Sequence, residues 1–144
     1  MRIIIGSDHA GFELKEYLKD HLNGSGHAVD DKGTTSLDSV DYPTFAHAVA
    51  DAVANKEGDI GVVICGSGNG VNITANKHEE VRSALGWLPE VAALARQHNN
   101  ANVLALPARF ISKEEGVSIL DAFLGAEFEG GRHLRRVEGI EDHT

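Results

Sequence analysis

Hydrophobic and polar positions fall into two patterns that alternate along the chain. Short runs of consecutive aliphatic residues, such as residues 3–5 and 60–64, do not alternate with polar positions. Such runs are typical of strands that are buried on both faces of a parallel sheet. The segments between them carry apolar residues at i, i+3 and i+4 spacing, which predicts amphipathic helices. The predicted strands are residues 2–7, about 27–30, 60–65, 81–86 and 101–106, and the predicted helices are residues 12–22, 43–55, 70–76, 89–97 and 113–124, with one more after Arg132.

Local signals at the helix starts agree with these boundaries. Pro43 and Pro89 stand where a first helical turn tolerates proline, and Ser112 followed by Glu115 predicts a capping box. Short strands that alternate with helices predict an α/β fold: a three-layer α/β/α sandwich, Rossmann-like and doubly wound around a mainly parallel five-stranded sheet. No repeat or linker divides the sequence, so we expect a single domain over residues 1–144 with a C-terminal helical tail at about 130–144.

Composition narrows the range of functions. Aspartate and glutamate number 22 against 13 lysines and arginines, and the resulting formal charge of -9 argues against broad nucleic-acid binding. No stretch of 18 apolar residues is present, and an apolar strand-like run begins at once, so we expect neither a membrane span nor a signal peptide. The lone Cys65 has no partner for an internal disulfide, which fits a reducing cytoplasm. The eight histidines are scattered without Cys pairs or His-x-x-x-His spacing, which predicts no metal site.

The loop after the first strand is the first candidate for function, because ligands of doubly wound folds bind at the carboxyl ends of the strands. Asp8 and His9 stand side by side at that point. Gly6 and Gly11 have the glycine spacing of a phosphate-binding P-loop, but Phe12 and Glu13 replace the lysine and hydroxyl residue that such a loop requires. The alternative interpretation is that Asp8 caps the next helix and that His9 is an exposed loop residue.

The loop after the third strand is the strongest local feature. Gly66, Gly68 and Gly70 let the backbone turn tightly and approach a ligand closely, although the spacing is not that of a dinucleotide-binding loop. A nest of backbone N–H groups at a helix start suits an anionic oxygen. Cys65 stands at its entrance, where a helix N-terminus favours the thiolate as base or nucleophile, and Ser67 adds a hydroxyl. The alternative for Cys65 is a small buried strand residue.

Two further candidates lie toward the C-terminus. His98 closes a predicted helix and is a candidate acid or base, since imidazole titrates near neutral pH; the alternative is a histidine that only meets the helix dipole. Arg132 and Arg136 share one helix face, and Arg109, after the last strand, could join them. Arginine forks match phosphate well, while the alternative is a solvated basic helix end.

Eight motifs, in order along the chain, resemble those of the ribose/galactose isomerase family, which includes type B ribose-5-phosphate isomerases and the galactose-6-phosphate isomerase subunits. They extend from residue 3 to about residue 140. The matching stretches are Gly6-Ser7-Asp8-His9-Ala10-Gly11-Phe12, Asp31-Lys32-Gly33-Thr34, Asp41-Tyr42-Pro43, Ile64-Cys65-Gly66-Ser67-Gly68-Asn69-Gly70, Ala75-Asn76-Lys77, Arg96-Gln97-His98-Asn99, Asn102-Val103-Leu104-Ala105 and Glu129-Gly130-Gly131-Arg132-His133.

The resemblance implies a role for each matched position. Cys65 is expected to abstract the proton, and His98 is expected to donate one and to open the sugar ring. The other implied site residues are Asp8 and His9 at the sugar and phosphate ends, Gly66, Ser67, Gly68, Asn69 and Gly70 around the developing enediolate, Asn99 on the substrate hydroxyls, and Arg109, Arg132 and Arg136 on the phosphate. Two positions depart from the pattern: Ser67 stands where threonine is frequent, and Trp87 is bulky enough that we expect it to line the pocket. Arg135 has no matched role.

The resemblance also implies an activity and an assembly. The expected reaction interconverts D-ribose 5-phosphate and D-ribulose 5-phosphate through an enediolate, as in the pentose phosphate pathway, with no cofactor and no metal. The expected partners are a small phosphorylated sugar and a second copy of the chain, in a homodimer or a dimer of dimers whose active sites are shared between subunits. Two alternatives stay open: a six-carbon substrate such as galactose 6-phosphate or allose 6-phosphate, and a non-catalytic sugar-phosphate sensor.

Overall fold

The computed structural model describes residues 1–142, in which strands and helices alternate before two final helices. The predicted C-terminal tail is a helix, although its last two positions, 143 and 144, lie outside the described residues. The elements are β1 (Arg2–Ser7), α1 (Phe12–Gly24), β2 (Ala28–Asp31), α2 (Tyr42–Ala54), β3 (Ile60–Cys65), α3 (Asn69–Ala75), β4 (Ser83–Leu85), α4 (Pro89–Asn99), β5 (Val103–Pro107), α5 (Lys113–Gly125) and α6 (Arg132–Glu141).

The five strands form one sheet in the order β2-β1-β3-β5-β4, and every neighbouring pair is parallel. From β1 the chain moves outward to β2 on one side, and from β3 it moves to β4 and β5 on the other side. The direction of winding therefore changes between β1 and β3, which makes that boundary the switch point of the sheet. The predicted doubly wound α/β architecture is confirmed.

Helices cover the sheet on both faces, because successive strand side chains point to opposite sides. Ile3, Ile5 and Ile64 pack with α1, α4 and α5 on one face. Ile4, Val63 and Cys65 pack with α2 and α3 on the other. All six residues are buried, which accounts for the uninterrupted apolar runs in the sequence.

Observed and predicted boundaries agree best at the centre of the sheet. β1 and β3 match their predictions residue for residue. β4 is shorter than predicted because it is an edge strand that pairs with β5 over three positions. β5 begins two residues later than predicted. Just before it, the Asn102 side chain accepts from the Arg82 amide at 2.8 Å and donates to the Glu80 carbonyl at 2.8 Å.

The local helix-start predictions are also confirmed. Ser112 and Glu115 form the capping box at the start of α5, with both reciprocal hydrogen bonds present. Pro43 and Pro89 lie in the first turns of α2 and α4. None of the helices within residues 1–142 combines the length and the apolar character that crossing a membrane requires.

Candidate active site

Two loops meet at the switch point of the sheet. Ser7 pairs with Ile64 at the ends of β1 and β3. Asp8 and Cys65, the residues that follow them in the chain, therefore lie at the same edge of the sheet. Asp8 is buried, and its amide donates to the Ile64 carbonyl at 3.2 Å. The thiol-bearing Cys65 is 6% exposed and is a free cysteine. The carboxylate and the thiol therefore belong to one site, as the parallel topology requires.

A cavity of about 440 Å³ opens beside Cys65. Carboxylate, imidazole, thiol, hydroxyl and guanidinium groups converge there, together with two aromatic residues. Its lining consists of Asp8, His9, Ala10, Tyr42, Cys65, Gly66, Ser67, Gly70, Arg109 and Phe110. Tyr42 and Phe110 carry no role in the sequence prediction. We call Asp8, His9, Cys65, Ser67 and Arg109 the carboxyl-edge cluster.

Hydrogen bonds fix the first loop of this cluster. The Asp8 carboxylate accepts from the Gly11 amide at 3.1 Å, whereas the N-cap position of α1 is occupied by Gly11 itself. His9 is half-buried, and its Nδ1 accepts from the Val40 amide at 3.1 Å. The neutral imidazole therefore carries its proton on Nε2. Gly11, and not Asp8, is therefore the N-cap residue of α1, and His9 is half-buried rather than exposed.

The glycine loop is packed too tightly to accept side chains at two positions. Gly68 has φ +78°, and a Cβ there would come within 3.1 Å of the Leu106 backbone and also meet the Leu85 side chain. A Cβ on Gly70 would collide with the Tyr42 ring. The loop therefore keeps its backbone amides close to the cavity because glycine alone fits there.

Arg109 and Ser67 are positioned by short-range contacts with the same loop. The Arg109 amide donates to the Gly66 carbonyl at 3.0 Å, and the Arg109 side chain lies against the Gly66 Cα. The Ser67 hydroxyl accepts from the Asn69 amide at 3.3 Å. A guanidinium thus stands over the entrance of the cavity, where an anionic group of a ligand would be neutralised.

A buried ion cluster supports the loop behind Asp8. Lys15 Nζ, on a side chain only 1% exposed, and Lys19 Nζ each lie 2.7 Å from the Asp31 carboxylate. Burial raises the pKa of Asp31, but hydrogen bonds from both lysines outweigh burial and hold that pKa below its ordinary value. Asp31 also accepts from the Gly33 amide, and the Gly33 carbonyl accepts from the Ser7 amide at 2.7 Å. The cluster therefore fixes the loop that runs beside the end of β1.

The remaining predicted residues lie at the opposite edge of the sheet. His98 and Asn99 end α4 just before β5 begins at Val103, whereas Cys65 pairs with Pro107 at the far end of β5. Four strand steps of about 3.3 Å, or about 13 Å, separate these two levels. Asn99 lines a separate cavity of about 820 Å³, and His98 lies outside the cavity beside Cys65. One chain therefore does not bring His98 and Cys65 together.

His98 belongs instead to a second cluster of side chains. Its ring stacks on His133 with the centroids 4.2 Å apart and the planes inclined by 11°. Glu129 Oε1 lies 3.8 Å from His98 Nε2 and 3.6 Å from His133 Nε2. The Glu129 amide donates to the Gln97 carbonyl at 3.0 Å, which ties this segment to the end of α4. We call His98, Glu129 and His133 the amino-edge cluster.

The electrostatic surroundings of His133 disfavour its charged form. Burial, the neighbouring His98 and the arginines Arg132 and Arg136 lower the pKa of His133, while Glu129 partly opposes them. Glu129 and His133 appear in the sequence analysis only as members of a motif, without roles. Their i, i+4 spacing was the available signal, but it did not reveal the contact with His98.

Within residues 1–142 the amino-edge cluster is the group of three side chains with ligand atoms close enough, within 4.8 Å, to hold a metal ion. An imidazole binds a metal through a lone pair that lies in the plane of its ring. Two nearly parallel stacked rings do not aim both lone pairs at one point, so these ring orientations do not suit coordination. That no metal is needed stays a prediction.

Two expectations about individual side chains need correction. Arg109 lines the cavity beside Cys65, whose lining includes no residue of α6, so it does not join Arg132 and Arg136 in one basic cluster of a single chain. Trp87 is more than half exposed and lines a different depression, between the start of α4 and α5. Trp87 does not line the Cys65 cavity of its own chain. β4 ends at Leu85, and the loop after it carries Trp87 toward α5.

Comparison with known proteins covers almost the whole chain. A sequence profile of the family described as Ribose/Galactose Isomerase matches residues 3–140. The ribose-5-phosphate isomerase B of Escherichia coli K12 is 48% identical over 139 residues, which are 96% of this chain and 93% of that protein.

Solved structures share the same fold. A ribose 5-phosphate isomerase from Thermotoga maritima superimposes with a TM-score of 0.95 at 48% identity, covering 97% of both chains. The ribose-5-phosphate isomerase B from Mycoplasma genitalium, solved with bound ribulose-5-phosphate, superimposes with a TM-score of 0.93 at 47% identity, covering 97% of this chain and 93% of the other.

Proposed function

The chain belongs to the ribose/galactose isomerase family, and from this premise we propose that it interconverts D-ribose 5-phosphate and D-ribulose 5-phosphate, as a step of the pentose phosphate pathway. The observation that carries the proposal is the convergence of Cys65, Asp8, Ser67 and Arg109 on one cavity at the switch point of the sheet. An aldose–ketose isomerase needs a base beside the substrate, donors for the enediolate and a cation for the phosphate. The carboxyl-edge cluster offers all three.

In the proposed mechanism the Cys65 thiolate removes the proton from carbon 2 of the open-chain aldose. The electron pair of that bond forms the enediolate as the carbon 1 oxygen gains a proton and the carbon 2 hydroxyl loses one. The same carbon-bound proton or one from solvent is then added to carbon 1, giving the ketose without net oxidation or reduction. Backbone amides of the loop and the Ser67 hydroxyl stabilise the enediolate oxygens. Arg109 neutralises negative charge at the cavity entrance and helps to hold the reacting carbons against the base.

The second part of the proposal concerns the residues of the opposite edge. His98, Asn99, Arg132 and Arg136 would complete the site of a second copy. His98 and Asn99 end α4 far from the level of Cys65, and no residue of α6, which carries the two arginines, lines the Cys65 cavity of the same chain. A two-fold symmetric homodimer places the same two surfaces against each other twice and creates two equivalent sites. A dimer of dimers would preserve both equivalent sites of each dimer. A free catalytic thiol fits a reducing compartment, so we place the protein in the cytoplasm.

Turnover on sugar phosphates of different size tests the reaction. We expect conversion of ribose 5-phosphate to its ketose, with much slower turnover of galactose 6-phosphate and allose 6-phosphate. The C65A variant should lose on the order of 10³-fold or more in kcat, because the base is removed, while its folding and assembly stay normal.

Three outcomes would contradict this function. Faster turnover of a six-carbon phosphate would favour the alternative substrate. Binding of ribose 5-phosphate without ketose formation would favour a sensor. Near-normal activity of C65A would remove Cys65 as the base.

A further inference from the structure

The position of the Glu129 carboxylate is not explained by a contribution to the stability of the fold. Its side chain is 52% exposed, and its carboxylate stands 3.6 and 3.8 Å from the two stacked imidazoles. An exposed ion pair of this kind contributes little to folding. Its backbone is nevertheless anchored to α4 through the Gln97 carbonyl, and Gly130 and Gly131, both with positive φ, turn the chain immediately after it. The turn that holds this carboxylate beside His98 uses positive φ at both residues, a conformation that glycine adopts readily.

The stacked histidines have a restricted charge state. Two imidazolium rings with centroids 4.2 Å apart would repel each other strongly, so the pair favours holding one proton at a time. For His133, Arg132 and Arg136 of α6 oppose protonation and Glu129 favours it. His98 is the more exposed ring, with 38% of its side chain accessible, whereas His133 is almost covered. Because the surroundings of His133 disfavour its charged form, His98 is the ring of the pair from which a proton would be delivered.

We propose that Glu129 is a positioning residue for His98: its carboxylate keeps one proton on the stacked pair and presents it on His98 for opening the sugar ring. The inference rests on the proposed function. Ring opening breaks the bond between carbon 1 and the ring oxygen, which receives the proton from His98. The proton on the carbon 1 hydroxyl leaves to water, the aldehyde forms, and His98 is reprotonated from water. His133 keeps the ring of His98 in place by stacking.

Comparison of two reactions separates this role from a general loss of structure. Ribose 5-phosphate is mostly cyclic and must be opened, whereas ribulose 5-phosphate cannot close to the same kind of ring because its carbon 5 oxygen carries the phosphate. Exchange of the carbon 1 proton of ribulose 5-phosphate with D₂O, followed by NMR, therefore reports enolisation by Cys65 alone. Conversion of ribose 5-phosphate reports enolisation and ring opening together.

For E129Q we expect kcat on ribose 5-phosphate to fall about 10- to 100-fold, at or below the lower end of the loss for a whole acid–base group, because His98 itself is retained. The rate of deuterium exchange into ribulose 5-phosphate and the KM for ribose 5-phosphate should both stay within about 2-fold, since phosphate anchoring and Cys65 are unchanged. E129D should restore part of the lost kcat. E127Q is the matched control, because it removes the same charge from the same exposed segment and should change neither reaction.

Every outcome bears on the inference. Equal losses in conversion and exchange would mean that Glu129 acts through the structure of the site and would overturn the proposal, as would wild-type conversion by E129Q. If E129Q does not fold, H133F takes its place: it retains a stacked ring and loses the nitrogen beside Glu129, and a smaller loss confined to conversion is expected. Absence of both reactions in the wild-type protein would instead refute the proposed function.

Discussion

The carboxyl-edge and amino-edge clusters differ in how the chain supports them. Around Cys65 the backbone is in close contact with neighbouring side chains at Gly68 and Gly70, and a buried ion cluster at Lys15 holds the adjoining loop. Around His98 the side chains are partly exposed, and a Cβ on Gly130 would meet nothing within 4 Å. The half proposed to remove the proton is thus packed closely by its own chain, whereas the other half is a partly exposed surface that, in the proposed homodimer, would form a cavity wall of the second copy.

The largest expected effect tests whether the two clusters serve different subunits of one site. C65A and H98A proteins should each lose activity, by on the order of 10³-fold for C65A and by 10²-fold or more for H98A. After mixed denaturation and refolding at a 1:1 ratio, half of the dimers are hybrids, and each hybrid has one site with both residues intact. Activity should therefore recover to about a quarter of wild type.

Steady-state assays before and after mixing measure this recovery. The matched control is refolding of each variant alone, which should restore nothing. Activity that stays at the level of the separate variants would mean that Cys65 and His98 act within one chain, and the division into two half-sites would be wrong.

Substitution of one glycine in each region tests the difference in packing. G68A places a methyl group against the Leu106 backbone at positive φ, so we expect a loss of about 3 kcal/mol in the free energy of unfolding. G130A also has positive φ but open space around it, and should lose only about 1 kcal/mol. Urea unfolding of both variants measures the difference, and equal losses would show that the two loops are equally constrained.

Removal of one carboxylate from each region compares their ion pairs. D31N leaves the buried Lys15 ammonium with Glu16 as its remaining ion-pair partner, and we expect a loss of about 2–3 kcal/mol in unfolding free energy. E129Q removes a half-exposed carboxylate and should cost less than about 1 kcal/mol. A stability of D31N equal to that of wild type would mean that the buried cluster does not hold the loop beside Ser7.

The smallest expected effect is a difference in the pH at which the two regions lose stability. The pKa of His133 is lowered by folding, so its neutral form is favoured and stability falls as the pH drops below about 6.5. The pKa of Asp31 is also lowered, so the stability from its charged form is complete above about 3.8 and is lost as the pH drops further.

Urea midpoints between pH 7.5 and pH 3 measure both slopes. H133F should flatten the dependence between pH 7 and pH 5.5 and leave the acid end unchanged, while D31N should flatten the acid end alone. A change of both slopes by either variant would show that the regions are electrostatically coupled.

The carboxyl-edge half of the site was accessible from the sequence because it depends on local order. Uninterrupted apolar runs locate β1 and β3, and a parallel sheet brings the residues that follow them to the same edge. Asp8 and Cys65 could therefore be placed together from strand pattern alone. Boundaries were less accurate away from these two strands, since β4 is shorter than predicted and β5 begins two residues later.

The other half depended on contacts that no local pattern encodes. His98 and His133 are 35 positions apart and meet only because α6 packs on the end of α4. The stacking and the shared Glu129 therefore could not be read from spacing. The path of the chain after β4 likewise directs Trp87 away from the Cys65 cavity, which its bulk had led us to expect it to line.

The separation of the two clusters along the strands has a consequence for the activity of the protein in dilute solution. If the proton-removing and ring-opening groups of one site belong to different molecules, an isolated chain has no complete site, however well it folds. Specific activity should then fall on dilution below the dissociation constant of the pair and recover on concentration. The specific activity would thus depend on the concentration of the protein, because only the associated form contains a complete site.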